Sequence, residues 1–253
     1  MQAFEWVYGK HAVSAAVLSQ RAQRLFYQAG KPAARDALEK AREVGCEASA
    51  WHADKFAARF GSEAVHQGVA CQCRPLPLYG EAFLDSLLRM EPNVFLVVLE
   101  RVNDPQNFGA CLRVAAGAGA HAVLFASSGT AGLTPVVAKA ASGAIESLPL
   151  ILVKRYHETL NFLRANAVQL VATSERAQHP IWDVDMRGPS ALCVGNEGMG
   201  VSAETLAKAD VQARVPLTSH VDSLNVSTAL AVCAFDVARQ RTLAPRNRSC
   251  NEK

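Results

Sequence analysis

FLVVLERVNDPQNFGACLR, residues 95–113, opens on five unbroken apolar residues, turns at Asn103, Asp104 and Pro105, and continues with small and aliphatic residues at helical spacing. A strand that is apolar at every position, not every second one, is buried on both faces, as in a parallel sheet with helices above and below. The same pattern recurs downstream in HAVLFA (121–126), LILV (150–153), VQLVATS (168–174), ALCVG (191–195) and ARVPL (213–217). Helical patterns separate them: TPVVAKAASGAIESL, YHETLNFLRANA, SAETLAKA and a long final helix beginning near Leu224. Strand and helix in strict alternation predict an α/β fold with a parallel sheet.

Upstream lies a smaller alternating set. HAVSAAVLSQRAQ predicts a helix, RLFYQA a strand, PAARDALEKAREVG a helix and GVACQCRPL a closing strand. RPLPLYGE, with two prolines and a glycine, interrupts the pattern. The expected organisation is a small α/β domain over 1–76, a linker over 77–92, the larger domain over 93–242 and a polar tail over 243–253.

With 253 residues, half of them apolar, the chain can fill real cores. No apolar run approaches the roughly 18 to 20 residues of a membrane helix. The start, MQAFEWVYGKHAV, lacks a basic flank followed by an apolar block, so the expected location is the cytoplasm. The seven cysteines are scattered and include no C-x2-C pair, so no metal site is expected and reduced, buried thiols are. Net charge is +3, all of it N-terminal: residues 1–80 carry ten Lys/Arg against seven Asp/Glu, and the rest sixteen of each. An RNA-facing N-terminal module has this imbalance, and so do many ordinary solvated surfaces.

Two glycine-rich segments test a nucleotide-binding reading. Gly117 and Gly119 follow a helix and precede a strand, the reverse of a dinucleotide fingerprint, and read as a helix stop. GNEGMGVS (195–202) follows a strand and precedes a helix, with Gly195 and Gly200 at P-loop spacing but without the lysine that grips phosphate. Glu197 in that loop suits a hydroxyl, an amine or a base edge better than phosphate; the plainer alternative is an acid complementing the dipole of the helix near Ser202. In the opening stretch, Asn107 is positioned to cap the helix, and Arg113 follows Gly109 and Ala110 by four and three residues. Helical side chains lean toward the N-terminus, so its guanidinium can reach back over these two toward the sheet edge as an anion clamp. A surface salt bridge is the alternative. VDSLNVSTALAV (221–232) places Ser223, Asn225, Ser227 and Thr228 at the head of the final helix, more polar groups than one cap needs. The surplus suggests a ligand.

NDPQNFGACLR, GNEGMG and VPLTSHVDSLNVS, in this order and at these separations, resemble the three motifs of the SpoU (TrmH-type) ribose 2′-O-methyltransferases of the SPOUT superfamily. YGKHAV (8–13) and AVHQGVA (64–70) look like the N-terminal RNA-binding domain of the bacterial enzymes that methylate a guanosine of 23S rRNA. The resemblance implies S-adenosylmethionine (AdoMet) as cofactor, RNA as substrate with a guanosine ribose of 23S rRNA as the expected target, a homodimer and a deep trefoil knot, an exception to the usual rule against threading. A transfer-RNA or other-site ribose methyltransferase, and a weakly catalytic RNA-binding ribosome-assembly factor, are the alternatives. By motif match it assigns Gly195, Val215, Leu217 and Leu224 to the cofactor pocket, and Asn107, Arg113, Glu197, Ser223 and Asn225 to the reactive site. It also marks a departure: Ser219 stands where the family commonly has glycine, and a side chain there is expected to narrow the cofactor loop. His66 is the N-terminal residue expected at an RNA or interdomain contact, with a hydrogen-bonded structural role as the alternative.

Overall fold

The structure is a computed structural model, and it describes residues 5–126, 128–196 and 198–243, Leu243 by its backbone only. Glu197, Cys250 and nearly all of the expected tail lie outside the described residues.

The N-terminal unit runs β1 (Glu5–Tyr8), α1 (Lys10–Leu18), β2 (Ala22–Tyr27), α2 (Pro32–Glu43), β3 (Glu47–Ala50), α3 (Ala53–Phe60) and β4 (Val69–Cys73). Its sheet has the order β1-β4-β2-β3, antiparallel except for the β2/β3 pair. One face packs on α1 and α2 through Val13, Leu25 and Val69; the other holds an aromatic cluster around Trp6, Phe26, Trp51 and Phe56. His66 belongs to that cluster: its ring stacks on Phe56 at 4.6 Å, and its Nδ1 accepts the Gly68 amide at 3.0 Å. Burial, with a smaller push from Lys31, holds its pKa below the usual histidine value. The structural reading of His66 therefore accounts for its contacts.

The chain continues through β5 (Leu78–Tyr79) and α4 (Glu81–Met90), so the segment expected as a linker is built into the larger sheet. β5 forms one edge of that sheet, and Leu84 and Leu87 on α4 are buried in its core. The prolines and Gly80 that suggested a linker instead bound a very short strand. Then follow β6 (Phe95–Glu100), α5 (Pro105–Gly117), β7 (Ala122–Ala126), α6 (Pro135–Ala140), β8 (Leu150–Val153), α7 (Tyr156–Ala165), β9 (Gln169–Thr173), β10 (His179–Pro180), β11 (Ser190–Gly195), α8 (Ala203–Lys208), β12 (Val211–Arg214) and α9 (Val226–Leu243).

The eight strands order as β10-β12-β9-β11-β6-β7-β8-β5, with every pairing parallel. As unbroken hydrophobicity requires, β6 and β11 are buried at all six positions. The expected single helix over 134–148 is two pieces, because Ser142 (φ 51) and Gly143 (φ 91) take left-handed backbone and a 3-10 turn follows at Ala144–Glu146. At Gly143 a Cβ would sit 2.5 Å from the Ala15 Cβ, so glycine serves both the turn and the approach of α1. Gly119 stops α5 as its position predicted: with φ 79 it donates to the Ala116 carbonyl while Ala120 donates to that of Ala115, the Schellman pattern. One buried cluster runs from Val13 and Leu25 through to Phe95, Phe108 and Val237, so the two units share a core.

Candidate active site

From β6 the chain lays β7 and β8 on one side and β9, β11 and β12 on the other. In parallel α/β sheets the crevice at the carboxyl ends beside such a reversal is where ligands bind. A cavity of about 360 Å3 opens there, at the ends of β9, β11 and β12. Thr173 and Ser174 line it from β9, Gly195 and Asn196 from β11, Arg214 and Val215 from β12, and Leu224, Val226, Ala229 and Cys233 from the start of α9. Gly195, Val215, Leu217 and Leu224, the four residues assigned to the cofactor pocket, all line it.

The loop after β11 explains the requirement for glycine. Asn196 folds it back: its carbonyl accepts the Gly200 amide at 2.9 Å, and its side chain accepts the amides of Gly198 (3.2 Å) and Met199 (2.8 Å). This hairpin lies against Gly195, where a Cβ would collide with the Gly200 carbonyl group and the Val201 nitrogen. Beyond it Ser202 caps α8, accepting from Thr205 at 3.2 Å.

A residue without an assigned role holds that loop from below. Glu100, 7% exposed at the end of β6, accepts hydrogen bonds from the Ser202 amide (3.0 Å) and the Thr205 hydroxyl (2.8 Å). The Tyr156 hydroxyl lies 3.4 Å from the same oxygen; its pKa is raised chiefly by burial and further by the charge of neighbours including Glu100. Its sequence signal is an acid closing an otherwise apolar run. Arg101, next in line, adopts φ 56, with its Nη2 3.5 Å from Glu100.

Among the residues expected to react, the structure joins two. Asn225 donates from Nδ2 to the Asn107 Oδ1 at 2.8 Å, tying the head of α9 to the first turn of α5. The Asn225 side-chain oxygen also accepts the Ser227 amide (2.9 Å) and hydroxyl (2.6 Å), so Asn225 both caps α9 and reaches the neighbouring helix. Asn107 is not the cap of α5, contrary to the expectation. Asp104 fills that role, its carboxylate accepting the Asn107 amide at 2.7 Å, and Pro105 occupies the first helical position. Arg113 is exposed and forms no ion pair with any described residue. Gly109 is buried against α6, where a Cβ would lie 2.5 Å from the Ala140 Cβ and 2.6 Å from the Val137 carbonyl oxygen. Its smallness serves helix packing. Ser223 is exposed and is not among the residues lining the cavity, although its neighbour Leu224 is. Ser219 is also exposed, does not line the cavity and does not have a positive φ, so it neither narrows the pocket nor strains the loop. No group of three or more His, Cys, Asp or Glu among the described residues could hold a metal, and none of the described helices is long and apolar enough to cross a membrane.

Two sequence families match this chain. The SpoU rRNA methylase family covers residues 94–235, and the RNA 2′-O ribose methyltransferase substrate-binding family covers residues 6–79. The chain is 36% identical over 245 residues to the 23S rRNA (guanosine-2′-O-)-methyltransferase RlmB of Pseudomonas aeruginosa, an alignment spanning 96% of this chain and 99% of that one. Its fold is similar to the crystal structure of an RNA 2′-O ribose methyltransferase, with TM-score 0.78, 26% identity and coverage of 96% and 90% of the two chains. It is similar also to the SpoU methyltransferase AviRb of Streptomyces viridochromogenes in complex with AdoMet, with TM-score 0.77, 25% identity and coverage of 94% and 90%.

Proposed function

The chain belongs to the SpoU rRNA methylase family, and from that premise we propose that it is an AdoMet-dependent methyltransferase acting on the 2′-hydroxyl of a guanosine in 23S rRNA. The observation that carries the reading is the cavity at the carboxyl ends of β9, β11 and β12, with the Asn107–Asn225 bond beside it. Its volume falls within the roughly 300 to 1,000 Å3 of small-molecule sites. Its walls suit a nucleoside: apolar side chains from Val194, Leu217 and Leu224, hydroxyls from Thr173 and Ser174, and a backbone cradle at Gly195 that a Cβ would fill. Those residues would hold the cofactor, which supplies an electrophilic methyl group.

Methyl transfer from a sulfonium is an in-line displacement: the ribose oxygen bonds to the methyl carbon as the carbon–sulfur bond breaks, the sulfur leaves as a neutral thioether, and the hydroxyl proton passes to water. The protein's task is alignment and charge stabilisation. Asn225 lies between Leu224 and Val226, which line the cavity, and is bonded to Asn107, so we assign the pair to fixing the ribose relative to the pocket. Arg113 is exposed and forms no ion pair with a described residue, and we assign its guanidinium to the neighbouring phosphate and to the developing alkoxide charge. With a pKa above about 12 an arginine is a poor proton acceptor, so a clamp suits it better than a base. Glu197 and Ser223 complete the reactive set by motif match. The domain over 6–79 receives the RNA, in keeping with the family it matches.

Three further features belong to this reading. The protein acts in the cytoplasm, on ribosomal RNA. It forms a homodimer, for which the exposed apolar side chains of Val232 and Phe235 on α9 are the support. The catalytic unit is knotted; the support is its membership in the SpoU family, whose motifs imply that knot. Incubating the purified protein with methyl-labelled AdoMet and either 23S rRNA fragments or transfer RNA tests the function. Label at one guanosine ribose of 23S rRNA is the expected result, and label in transfer RNA alone would reassign the substrate.

A further inference from the structure

The seam between the two units is held by a charged cluster that the reaction does not use. Arg21, just before β2, places its Nη2 2.7 Å from Glu146, in the 3-10 turn after α6, and both side chains are 7% exposed. The Arg21 Nε lies 3.1 and 2.9 Å from the two Glu146 oxygens, and its Nη1 donates to Glu5 (3.2 Å) and to the Arg74 carbonyl (2.7 Å). Ser19 donates to Glu146 from the same side at 3.0 Å. Burial alone would lower the Arg21 pKa; the bonds and charge of Glu146, with the charges of other neighbours including Glu5, reverse that and raise it.

Burying two charges is a poor route to stability, since a well-packed apolar pair often does as well or better. What a forked, directional pair adds is one orientation where an apolar seam would tolerate sliding. The orientation leads to the reactive helix. Glu146 follows α6, and α6 packs against α5 at Gly109 with no room for a Cβ. Asn107 lies two residues before that contact and Arg113 four after it. From Arg21 to the reactive residues the path is thus one buried ion pair and one close helix contact.

We infer that Arg21 and Glu146 are a positioning pair, fixing the stance of the RNA-receiving domain on the α5/α6 layer and thereby selecting which ribose reaches Asn107 and Arg113. This rests on the reading that residues 6–79 receive the RNA. The pair touches neither cofactor nor ribose, so its loss should alter where and how fast RNA is methylated while leaving the cofactor pocket intact.

The test uses the full chain as wild type, Glu146→Gln, Glu146→Asp and the reversed pair Arg21→Glu with Glu146→Arg. Glu146→Gln leaves Arg21 its bonds to Glu5 and the Arg74 carbonyl; Glu146→Asp keeps the charge and shortens its reach. AdoMet affinity is measured by calorimetry, methylation of a 23S rRNA fragment as separate kcat and KM, and the product position by mapping. In both single variants kcat/KM should fall by on the order of tenfold to a hundredfold, as for a displacement of about 1 Å remote from the chemistry. Methylation should spread to neighbouring riboses, AdoMet affinity should stay as in the wild type, and the reversed pair should recover part of the loss. Wild-type rate and position in both single variants would overturn the proposal, as would equal losses in cofactor affinity and RNA methylation, the mark of a merely structural role. A wild-type protein that methylates no ribosomal RNA would defeat the functional reading, and this inference with it.

Discussion

Gly195 has room for a hydrogen and nothing larger, because the loop that follows it folds back onto its α-carbon. Gly195→Ala should therefore displace the 196–200 loop and raise the AdoMet dissociation constant by about tenfold or more, an effect of about 1.4 kcal/mol upward, while the circular dichroism spectrum stays native. Arg113 gives a different signature. If it clamps phosphate through its planar fork, Arg113→Lys should lower methyl transfer substantially and Arg113→Ala further, with cofactor affinity unchanged in both. Single-turnover rates over a neutral to alkaline pH series check this, and a lysine variant gaining activity with a lysine-like pKa would mean that a base acts at this position. At this scale the sequence was informative where a residue's context was local. Gly119 as a helix stop follows from its neighbours alone. The cap of α5 is legible too, since Pro105 at the first helical position places it at Asp104 and not at Asn107. Glu100 could not be found this way, because its partners Ser202 and Thr205 lie over a hundred residues away.

Helix α5 is fixed on two sides, by α6 at Gly109 and by α9 through Asn107. Gly109→Ala should force the helices apart and cost about 1 to 3 kcal/mol, the usual price of overpacking, read as a lower urea midpoint. The end of α9 is held by Arg241, whose guanidinium donates to the carbonyls of Asn93 (2.6 Å), Val94 (3.1 Å), Met186 (3.1 Å) and Gly188 (2.6 Å) and to the Ser190 hydroxyl (3.0 Å). Arg241→Ala removes all of these at once and should destabilise by roughly 2 to 4 kcal/mol, since hydrogen bonds to charged groups contribute about 1.5 to 3 kcal/mol each and partial rehydration offsets part of the loss. Strand β11 carries a pH signature. Burial, with the charge of Glu100, pushes the Cys193 thiol up to about 12 from an ordinary value near 9. The folded state then holds this proton more tightly than the unfolded one, so stability is full below about pH 9 and falls as pH rises toward 12. Replacing Cys193 by alanine should make the urea midpoint less sensitive to pH in that window. The strands of this layer were legible because burial on both faces writes itself as unbroken hydrophobicity. By contrast β3 (EASA) is short and largely exposed, β5 is two residues long, and the break in α6 depends on the left-handed turn at Ser142 and Gly143.

For the whole molecule, the alternation of strands and helices was enough to predict a parallel α/β sheet, but not the order in which its strands lie side by side. That order depends on pairings between distant segments, such as β11 with β6 across ninety-five positions, and periodicity is silent about them. The same limit applies to the boundary between the units. Prolines and Gly80 suggested a linker, whereas a shared core and the Arg21–Glu146 pair bind the N-terminal unit to the layer behind the reactive helix. The central claim is that the cavity and the paired asparagines methylate one guanosine ribose of 23S rRNA. Mapping ribose methylation across all ribosomal and transfer RNA, in cells with this protein, without it, and carrying only Arg113→Ala, tests that claim most directly. The account predicts that a single 23S guanosine mark disappears without the protein and is not restored by the variant; an unchanged map, or loss of a mark in transfer RNA only, would contradict it.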